Sequence, residues 1–174
     1  MSIATRTGDD GSTRLLYGQR VPKDHPQVET VGALDELNVA IGVAKAARPA
    51  GTGVEELEAI QLDLIALMGE VSCAESDAAR HAESKFARIG EGALGRLDAT
   101  VAALEARGLK FDGWATPGAN PYSAALEVAR TTARRAERRM VGLAGHGRIL
   151  RPILLQYINR LSDTLWLLAR AAES

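Results

Sequence analysis

The chain has 174 residues, of which 46% are hydrophobic and 25% charged, the composition of one globular domain of ordinary size. Its formal net charge of -1 and aromatic content of 4% argue against nucleic acid as a partner. The single cysteine, Cys73, excludes an internal disulfide framework and a cysteine-based zinc site. No apolar run approaches the ~20 residues of a membrane helix, and the polar N-terminus is unlike a signal peptide. We therefore expect a cytoplasmic protein without membrane contact.

The first feature in chain order is a polar N-terminal segment with two glycines and several hydroxyl side chains, Thr5-Arg6-Thr7-Gly8-Asp9-Asp10-Gly11-Ser12-Thr13. Gly8 and Gly11 permit backbone conformations that bring N–H groups close to an anion, and the hydroxyls supply further donors. A surface turn is the alternative, since Gly, Asp, Ser and Thr are common turn residues. The segment lacks the Gly-Lys-Ser/Thr of a P-loop and the aspartate ladder of an EF-hand loop. It suits a polyphosphate without matching either motif.

Pro and Gly residues divide the rest of the chain into five predicted helices, and no strand pattern competes with them. We expect one domain, made of an N-terminal loop and connector over residues 1–26 and a helical bundle over residues 27–174. The predicted helices run from Gln27 to Ala47, Val54 to Ala79, Glu83 to Arg107, Tyr122 to Leu143 and Ile149 to Ala172. Apolar residues recur in each at spacings of three and four, as in buried helix faces. The sequence predicts an all-α fold, an antiparallel five-helix bundle that follows a glycine-containing loop.

A Gly/Pro-rich loop between the third and fourth predicted helices carries Trp114, one of two tryptophans in the chain. Trp114 either covers the end of the bundle or forms an apolar wall for a flat ligand. Aromatic side chains suit the second role because they offer a large contact area at low entropic cost.

The fourth predicted helix carries a charged face. Arg130, Arg134, Glu137 and Arg138 project together because their spacing is i, i+4, i+7 and i+8. A charged helix face is commonly only solvated, but arginine is suited to bidentate recognition of phosphate. Glu137 can orient the neighbouring arginines or hold a metal ion.

Polar residues interrupt the apolar pattern of the first and last predicted helices. They are Asp35, Glu36 and Asn38 in the first helix, and Asn159, Arg160, Ser162 and Asp163 in the last. Such groups are either paired structurally or functional, and a pair between Asp35 and an arginine of the fourth helix would satisfy both. The histidines lie in or near connectors, where we expect them at the surface: His25, His81 and His146.

At five places in the same order, the chain resembles the ATP:cob(I)alamin adenosyltransferases of the PduO type. The matching blocks are Thr5 to Thr13, Arg20 to Asp24, Gly32 to Asn38, Ala129 to Arg138 and Tyr157 to Asp163. The resemblance implies a five-helix bundle that assembles as a homotrimer, with ATP and its Mg²⁺ bound between neighbouring subunits. It also implies a reaction in which the 5′-deoxyadenosyl group of ATP passes to cob(I)alamin and triphosphate is released.

The same resemblance assigns the site residues. The implied ATP-binding residues are Thr5, Arg6, Thr7, Gly8, Asp9, Gly11, Ser12, Thr13, Lys23, Arg134, Glu137 and Asn159, and Glu137 would also contact Mg²⁺. Asp35, Arg130 and Trp114 are the implied catalytic residues, with Asp35 paired to Arg130 near the corrinoid. Trp114 stands in an altered loop, where the family carries a phenylalanine that excludes the lower axial ligand from cobalt.

Cobalamin is a substrate in this interpretation, so the candidate partners are a corrinoid reductase that supplies cob(I)alamin and a B12-dependent enzyme that uses the product. Two alternatives stay open. One is a corrinoid carrier or nucleotide sensor on the same fold with little turnover, which the altered Trp114 loop motivates. The other is a helical scaffold or RNA-binding bundle, which the near-neutral charge disfavours.

Overall fold

The computed structural model describes residues 4, 6–51, 53–109 and 114–174. Within these ranges the chain forms six α-helices and one two-stranded antiparallel sheet. The helices are α1 (Pro26–Ala47), α2 (Glu55–Val71), α3 (Ala78–Ala82), α4 (Glu91–Glu105), α5 (Pro121–Gly142) and α6 (Pro152–Ala171), and the strands are β1 (Ser12–Arg14) and β2 (Arg20–Pro22). None of these helices is both long and apolar enough to cross a membrane.

The helical class predicted from the sequence is confirmed, with three corrections. The expectation of no strands is wrong, because β1 and β2 pair in a hairpin with Thr13 opposite Val21. The predicted second helix ends at Val71 instead of Ala79, and the predicted third helix begins at Glu91 instead of Glu83. The segment between them contains a 3₁₀ turn over Glu75–Asp77 and the short helix α3, neither of which was predicted.

The early end of α2 has a side-chain cause. Gln27 is buried at the start of α1, and its Nε2 donates hydrogen bonds to the carbonyl oxygens of Val71 at 2.6 Å and Cys73 at 2.7 Å. Carbonyls at the end of a helix lack intrahelical partners, so an external donor stabilises the termination there.

Helix α5 lies at the centre of the bundle, since it packs against both α1 and α6. Its buried face presents small side chains, Ala129, Ala133 and Ala136, which allow neighbouring helices to approach closely. The α1 and α6 residues buried nearby include Leu34, Leu37, Ile41, Tyr157, Ile158 and Leu161. Because apolar residues fill one face of α5, its arginines lie on the remaining faces.

The buried carboxylate of Glu70 joins three segments that are distant in sequence: the end of α2, the loop before α4 and the start of α6. Glu70, near the end of α2, accepts a hydrogen bond from the backbone N–H of Ile89 at 2.9 Å. Arg151, just before α6, donates to both oxygens of Glu70, from Nε at 2.9 Å and from Nη2 at 2.7 Å. The contact fixes the loop before α4 and the start of α6 relative to α2.

The turn of the hairpin is docked on the segment that follows α2. The backbone N–H of Leu16 donates to the carbonyl oxygen of Ser72 at 3.0 Å, and Gln19 hydrogen-bonds Asp77. The hydroxyl of Tyr17 lies 3.2 Å from Nδ1 of His81. His81 is only 3% exposed, so the expected surface position was wrong for this histidine. Burial lowers the pKa of His81 below its ordinary value of 6.5.

Candidate functional site

The loop ahead of β1 and the hairpin form a pocket of about 280 Å³. Its lining consists of Thr7, Gly8, Ser12, Thr13, Arg14, Arg20 and Lys23, five of which belong to the predicted ATP-binding set. The sequence assignment of ATP-binding residues left out Arg14 and Arg20. They are directly opposite each other in the register of the hairpin, so their place in one pocket depends on a sheet that was not predicted. Three cations and several hydroxyls in one pocket suit an anionic ligand.

Glycine is required at two places in this loop. Gly11 adopts a positive φ of 81°, its N–H donates to the carbonyl oxygen of Gly8, and its carbonyl oxygen accepts from the N–H of Lys23 at 2.9 Å. A Cβ at Gly8 would lie 3.1 Å from the carbonyl oxygen of Ser12 and 3.2 Å from Nζ of Lys23. A larger residue at position 8 would therefore press on the Ser12 carbonyl and on the end of the Lys23 side chain, and one of them would have to shift.

A hydrogen-bonded carboxylate holds the shape of the loop. Ser12 donates to Oδ1 of Asp10 from its backbone N–H at 3.0 Å and from its hydroxyl at 2.7 Å, and Arg20 pairs with Oδ2 at 2.6 Å. The two bonds from Ser12, assisted by Arg20, hold the pKa of Asp10 below its ordinary value. Asp9 is exposed, and its N–H donates to the carbonyl oxygen of Arg6. Thr5 lies outside the described residues.

A second group of predicted residues lies between α5 and α6. The Nδ2 of Asn159 donates to Oε1 of Glu137 at 3.2 Å, and the side chain of Arg134 is exposed one turn earlier on α5. The half-exposed carboxylate of Glu137 offers the oxygen donor that Mg²⁺ prefers, and a magnesium ion held through substrate phosphates needs few protein ligands. None of these residues belongs to the described lining of the N-terminal pocket. The two predicted halves of the ATP site therefore do not line the same described pocket.

The predicted ion pair between Asp35 and Arg130 is not formed within the described part of the chain. Arg130 pairs instead with Glu127, from Nε to Oε2 at 2.6 Å, because Glu127 lies one turn earlier on the same helix. Asp35 is exposed, and the ion pairs that join α1 to α5 are Glu36 with Arg135 and Glu29 with Arg139.

The two tryptophans have different surroundings. Trp114 is 99% exposed, so it does not cover the end of the bundle. Trp166 is half-buried in the wall of a cavity of about 400 Å³ between α4 and α6. That cavity is lined by Val101, Glu105, Arg160, Asp163, Trp166 and Leu167. The sequence pattern assigned Trp166 only to the apolar stripe of the last helix, because a spacing of three and four does not distinguish a core position from a cavity wall.

Comparison with known proteins assigns the chain to a family. The sequence model named Cobalamin adenosyltransferase matches residues 3–172. The chain belongs to the cobalamin adenosyltransferase family. The resemblance carried by the five sequence blocks is thereby confirmed.

Among relatives in the cobalamin adenosyltransferase family, the chain is 42% identical over 174 residues to the corrinoid adenosyltransferase PduO of Salmonella typhimurium, covering 100% of this chain and 50% of that protein. It is 35% identical over 174 residues to the corrinoid adenosyltransferase of Bacillus subtilis, covering 100% of this chain and 88% of that protein. The chain thus spans about half the length of the Salmonella relative.

A solved structure of the same family has a similar fold. It is a phenylalanine-to-alanine variant of a PduO-type ATP:corrinoid adenosyltransferase from Lactobacillus reuteri, complexed with cobalamin and ATP. The two chains superpose with a TM-score of 0.87 at 32% identity, over 99% of this chain and 93% of that one.

Proposed function

We propose that this chain transfers the 5′-deoxyadenosyl group of ATP to cob(I)alamin and releases triphosphate. The observation that carries the proposal is the pocket in which Thr7, Gly8 and Lys23 surround a space of about 280 Å³ suited to an anion. Membership of the cobalamin adenosyltransferase family and similarity to a structure complexed with cobalamin and ATP support the same reaction.

The reaction is a substitution at the 5′ carbon of the ribose. The electron pair of cobalt in cob(I)alamin forms the cobalt–carbon bond as the bond from C5′ to the triphosphate oxygen breaks, and triphosphate leaves with that bonding pair. No protein side chain acts as the nucleophile. The protein binds the two substrates in line and stabilises the charge of the leaving group.

The N-terminal pocket is assigned the triphosphate. The backbone N–H of Gly8, the hydroxyl of Thr13 and the cation of Lys23 are the proposed donors. Arg134, Glu137 and Asn159 are proposed to complete the ATP site, with Glu137 as a ligand of the Mg²⁺ that accompanies ATP. Bound Mg²⁺ would neutralise part of the charge on the phosphate oxygens.

Asp35, Arg130 and Trp114 are proposed to contact the corrinoid. The exposure of Trp114 supports this role, because a large apolar ring left fully in water gains free energy by covering an apolar ligand surface. Arg130 keeps 25% of its side chain exposed, which leaves it accessible to a ligand.

We propose a homotrimer in which each ATP site combines the N-terminal pocket of one subunit with α5 and α6 of its neighbour. The described lining of the N-terminal pocket holds none of Arg134, Glu137 and Asn159, which supports a site completed by a second subunit. Subunit association would also bury apolar side chains that are exposed on α1, α2 and α5 of a single chain. They are Val39, Val43, Leu62, Ile65 and Val128. We further propose a single domain in the cytoplasm, served by a corrinoid reductase and by a B12-dependent enzyme that consumes the product.

The proposed reaction is tested by mixing the protein with cob(I)alamin, ATP and Mg²⁺. We expect the absorbance of cob(I)alamin to change to that of adenosylcobalamin while one triphosphate is released for each product. Binding of both substrates without triphosphate release would overturn the proposal and favour a carrier or sensor.

The proposed shared site is tested by sedimentation and by mixing two inactive variants. Gly8→Val and Arg134→Ala subunits should recover part of the activity when mixed, because some interfaces then combine two intact halves. A stable monomer with full activity would contradict the shared site.

A further inference from the structure

The cluster around Glu127 takes no part in the N-terminal pocket. Glu127 is 5% exposed, and both of its carboxylate oxygens accept hydrogen bonds from arginines. The Nε of Arg130 donates to Oε2 at 2.6 Å, and Nη2 of Arg170 donates to Oε1 at 2.9 Å. The carboxylate therefore joins an arginine of α5 to an arginine of α6.

The two arginines differ in exposure. Arg170 is 6% exposed, pairs also with Glu173 at 3.0 Å, and places its guanidinium 5.9 Å from the centre of the Trp166 ring. Arg130 keeps a quarter of its side chain accessible. A buried carboxylate is stable only when its charge is compensated, and Arg170 supplies that compensation from inside the bundle. The remaining oxygen of Glu127 is then directed at the accessible Arg130.

The hydrogen bond that Arg130 donates to Glu127 involves only the Nε of the guanidinium. A guanidinium presents donors on more than one edge, so a contact at Nε leaves the two terminal nitrogens for a ligand. A free arginine side chain samples many rotamers, and a side chain that is already ordered loses less entropy when it binds. Glu127 thus holds the proposed corrinoid-facing arginine in one orientation before the substrate arrives.

We infer, on the basis of the proposed function, that Glu127 is a positioning residue for the adenosyl transfer, acting through Arg130 and compensated by Arg170. Glu127 touches neither substrate in this role. The consequence is specific: its removal affects the corrinoid side of the reaction and leaves ATP binding intact, because among the described residues the Glu127 carboxylate bonds only Arg130 and Arg170. The proposed ATP-binding residues Arg134 and Glu137 lie about two and three turns further along α5.

The test replaces Glu127 with glutamine, which keeps the size of the side chain and removes its charge. We expect kcat/KM for cob(I)alamin to fall roughly tenfold to a hundredfold, the size of effect that a misplaced catalytic group produces. The affinity for ATP, measured by calorimetry, should stay within about twofold. The matched control is Glu29→Gln, which breaks the exposed ion pair with Arg139 and should leave both quantities unchanged.

A double variant tests whether Glu127 acts through Arg130. Arg130→Gln alone should be slow, and Glu127→Gln combined with Arg130→Gln should be no slower, because the second change removes a contact that no longer exists. Losses that multiply in the double variant would overturn the inference.

A neutral pair controls for folding. Glu127→Gln with Arg170→Gln removes both charges of the buried pair together, and we expect it to show the same selective loss as Glu127→Gln, with a cooperative thermal transition. A folded Glu127→Gln protein with full activity overturns the inference and leaves the proposed function intact. A wild-type protein that releases no triphosphate overturns the proposed function and the inference with it.

Discussion

The N-terminal pocket and the α5–α6 cluster, formed by Arg134, Glu137 and Asn159, present their polar groups in two different ways. The pocket is a loop whose shape depends on Gly8, Gly11 and an exposed ion pair between Asp10 and Arg20. The cluster consists of long side chains on two packed helices, which are also joined by the buried contact between Glu127 and Arg170. Substitutions in the pocket therefore change the shape of the backbone. Substitutions in the cluster change the charge of side chains on helices whose positions stay the same.

The largest effect is expected from Arg134→Ala, which removes a positive charge from the α5–α6 cluster. The side chain is exposed, so its truncation leaves the core intact. Loss of a charge-assisted hydrogen bond to phosphate costs about 1.5–3 kcal/mol, and we expect a roughly tenfold to hundredfold fall in the rate of triphosphate release.

The matched control for Arg134→Ala is Arg139→Ala, on the same helix. Arg139 pairs with Glu29 at 3.1 Å, and both side chains are half-exposed, so its removal should change activity little. Equal losses in the two variants would mean that the general basicity of α5, and not a site, explains the effect.

The next effect is expected from Gly8→Val, which changes the shape of the pocket. The added side chain would press on Ser12 and Lys23, and overpacking of this kind costs about 1–3 kcal/mol. We expect the Kd for ATP, measured by calorimetry, to rise about tenfold.

The control for Gly8→Val is Gly92→Val, at an exposed position of α4 where an added Cβ meets no atom within 4 Å. Its ATP affinity should match the wild type. An unchanged Kd in folded Gly8→Val protein would remove the N-terminal loop from the ATP site.

The helices were more predictable than the connections between them. Helices α1 and α5 each begin one residue before the predicted start, because Pro26 and Pro121 at their first positions follow capping side chains, those of His25 and Asn120. The end of α2 was missed because Gln27, from another helix, binds the carbonyl oxygen of Val71. Local periodicity carries no information about such a donor.

The site shows the same division. The spacing of three residues between Arg134 and Glu137 predicted that both lie on one face of a helix, and both belong to α5. Within one chain Arg130 pairs with Glu127, one turn away on the same helix, a partner that the sequence analysis did not consider. The role of Arg170 depends on the packing of α6 against α5, which no local pattern specifies.

A smaller effect is expected from Trp114→Ala, outside both regions. The side chain is exposed, so we expect no loss of folding stability and nearly unchanged ATP affinity. Partial cover of about 40 Å² of apolar surface is worth about 1 kcal/mol, so adenosylation that begins from cob(II)alamin should slow about fivefold.

Absorption and magnetic circular dichroism spectra of bound cob(II)alamin sharpen the Trp114 test. With ATP present, the wild type should shift towards a four-coordinate spectrum, Trp114→Phe should retain much of it, and Trp114→Ala should lose it. A normal spectrum and rate in Trp114→Ala would exclude Trp114 from the site.

The smallest effect is a pH dependence that comes from His81, in the short helix α3 against which the hairpin turn packs. His81 holds the hairpin through Tyr17, and burial lowers its pKa from 6.5. The unfolded chain then binds the proton more readily, so the stability contributed by neutral His81 is present above pH 6.5 and is lost as pH falls below it. The charged groups that also act on His81 are Glu70, which raises its pKa, and Arg88, Arg148 and Arg151, which lower it.

The free energy of unfolding in urea, measured across about pH 5 to 8, checks this dependence. His81→Gln should flatten the loss of stability at low pH, whereas His146→Gln, at an exposed position, should not. An identical slope in His81→Gln would show that another group titrates.

The carboxylate of Glu70 has a consequence for exchange of backbone hydrogen with deuterium. The amide of Ile89 lies in a connection between helices, yet it donates to a buried oxygen of Glu70 that also accepts a hydrogen bond from Arg151, the residue before α6. Exchange at Ile89 therefore requires α2, α6 and the connection to separate together, and its rate should match amides in the middle of α6. One slow amide outside the helices would report cooperative opening of the whole bundle.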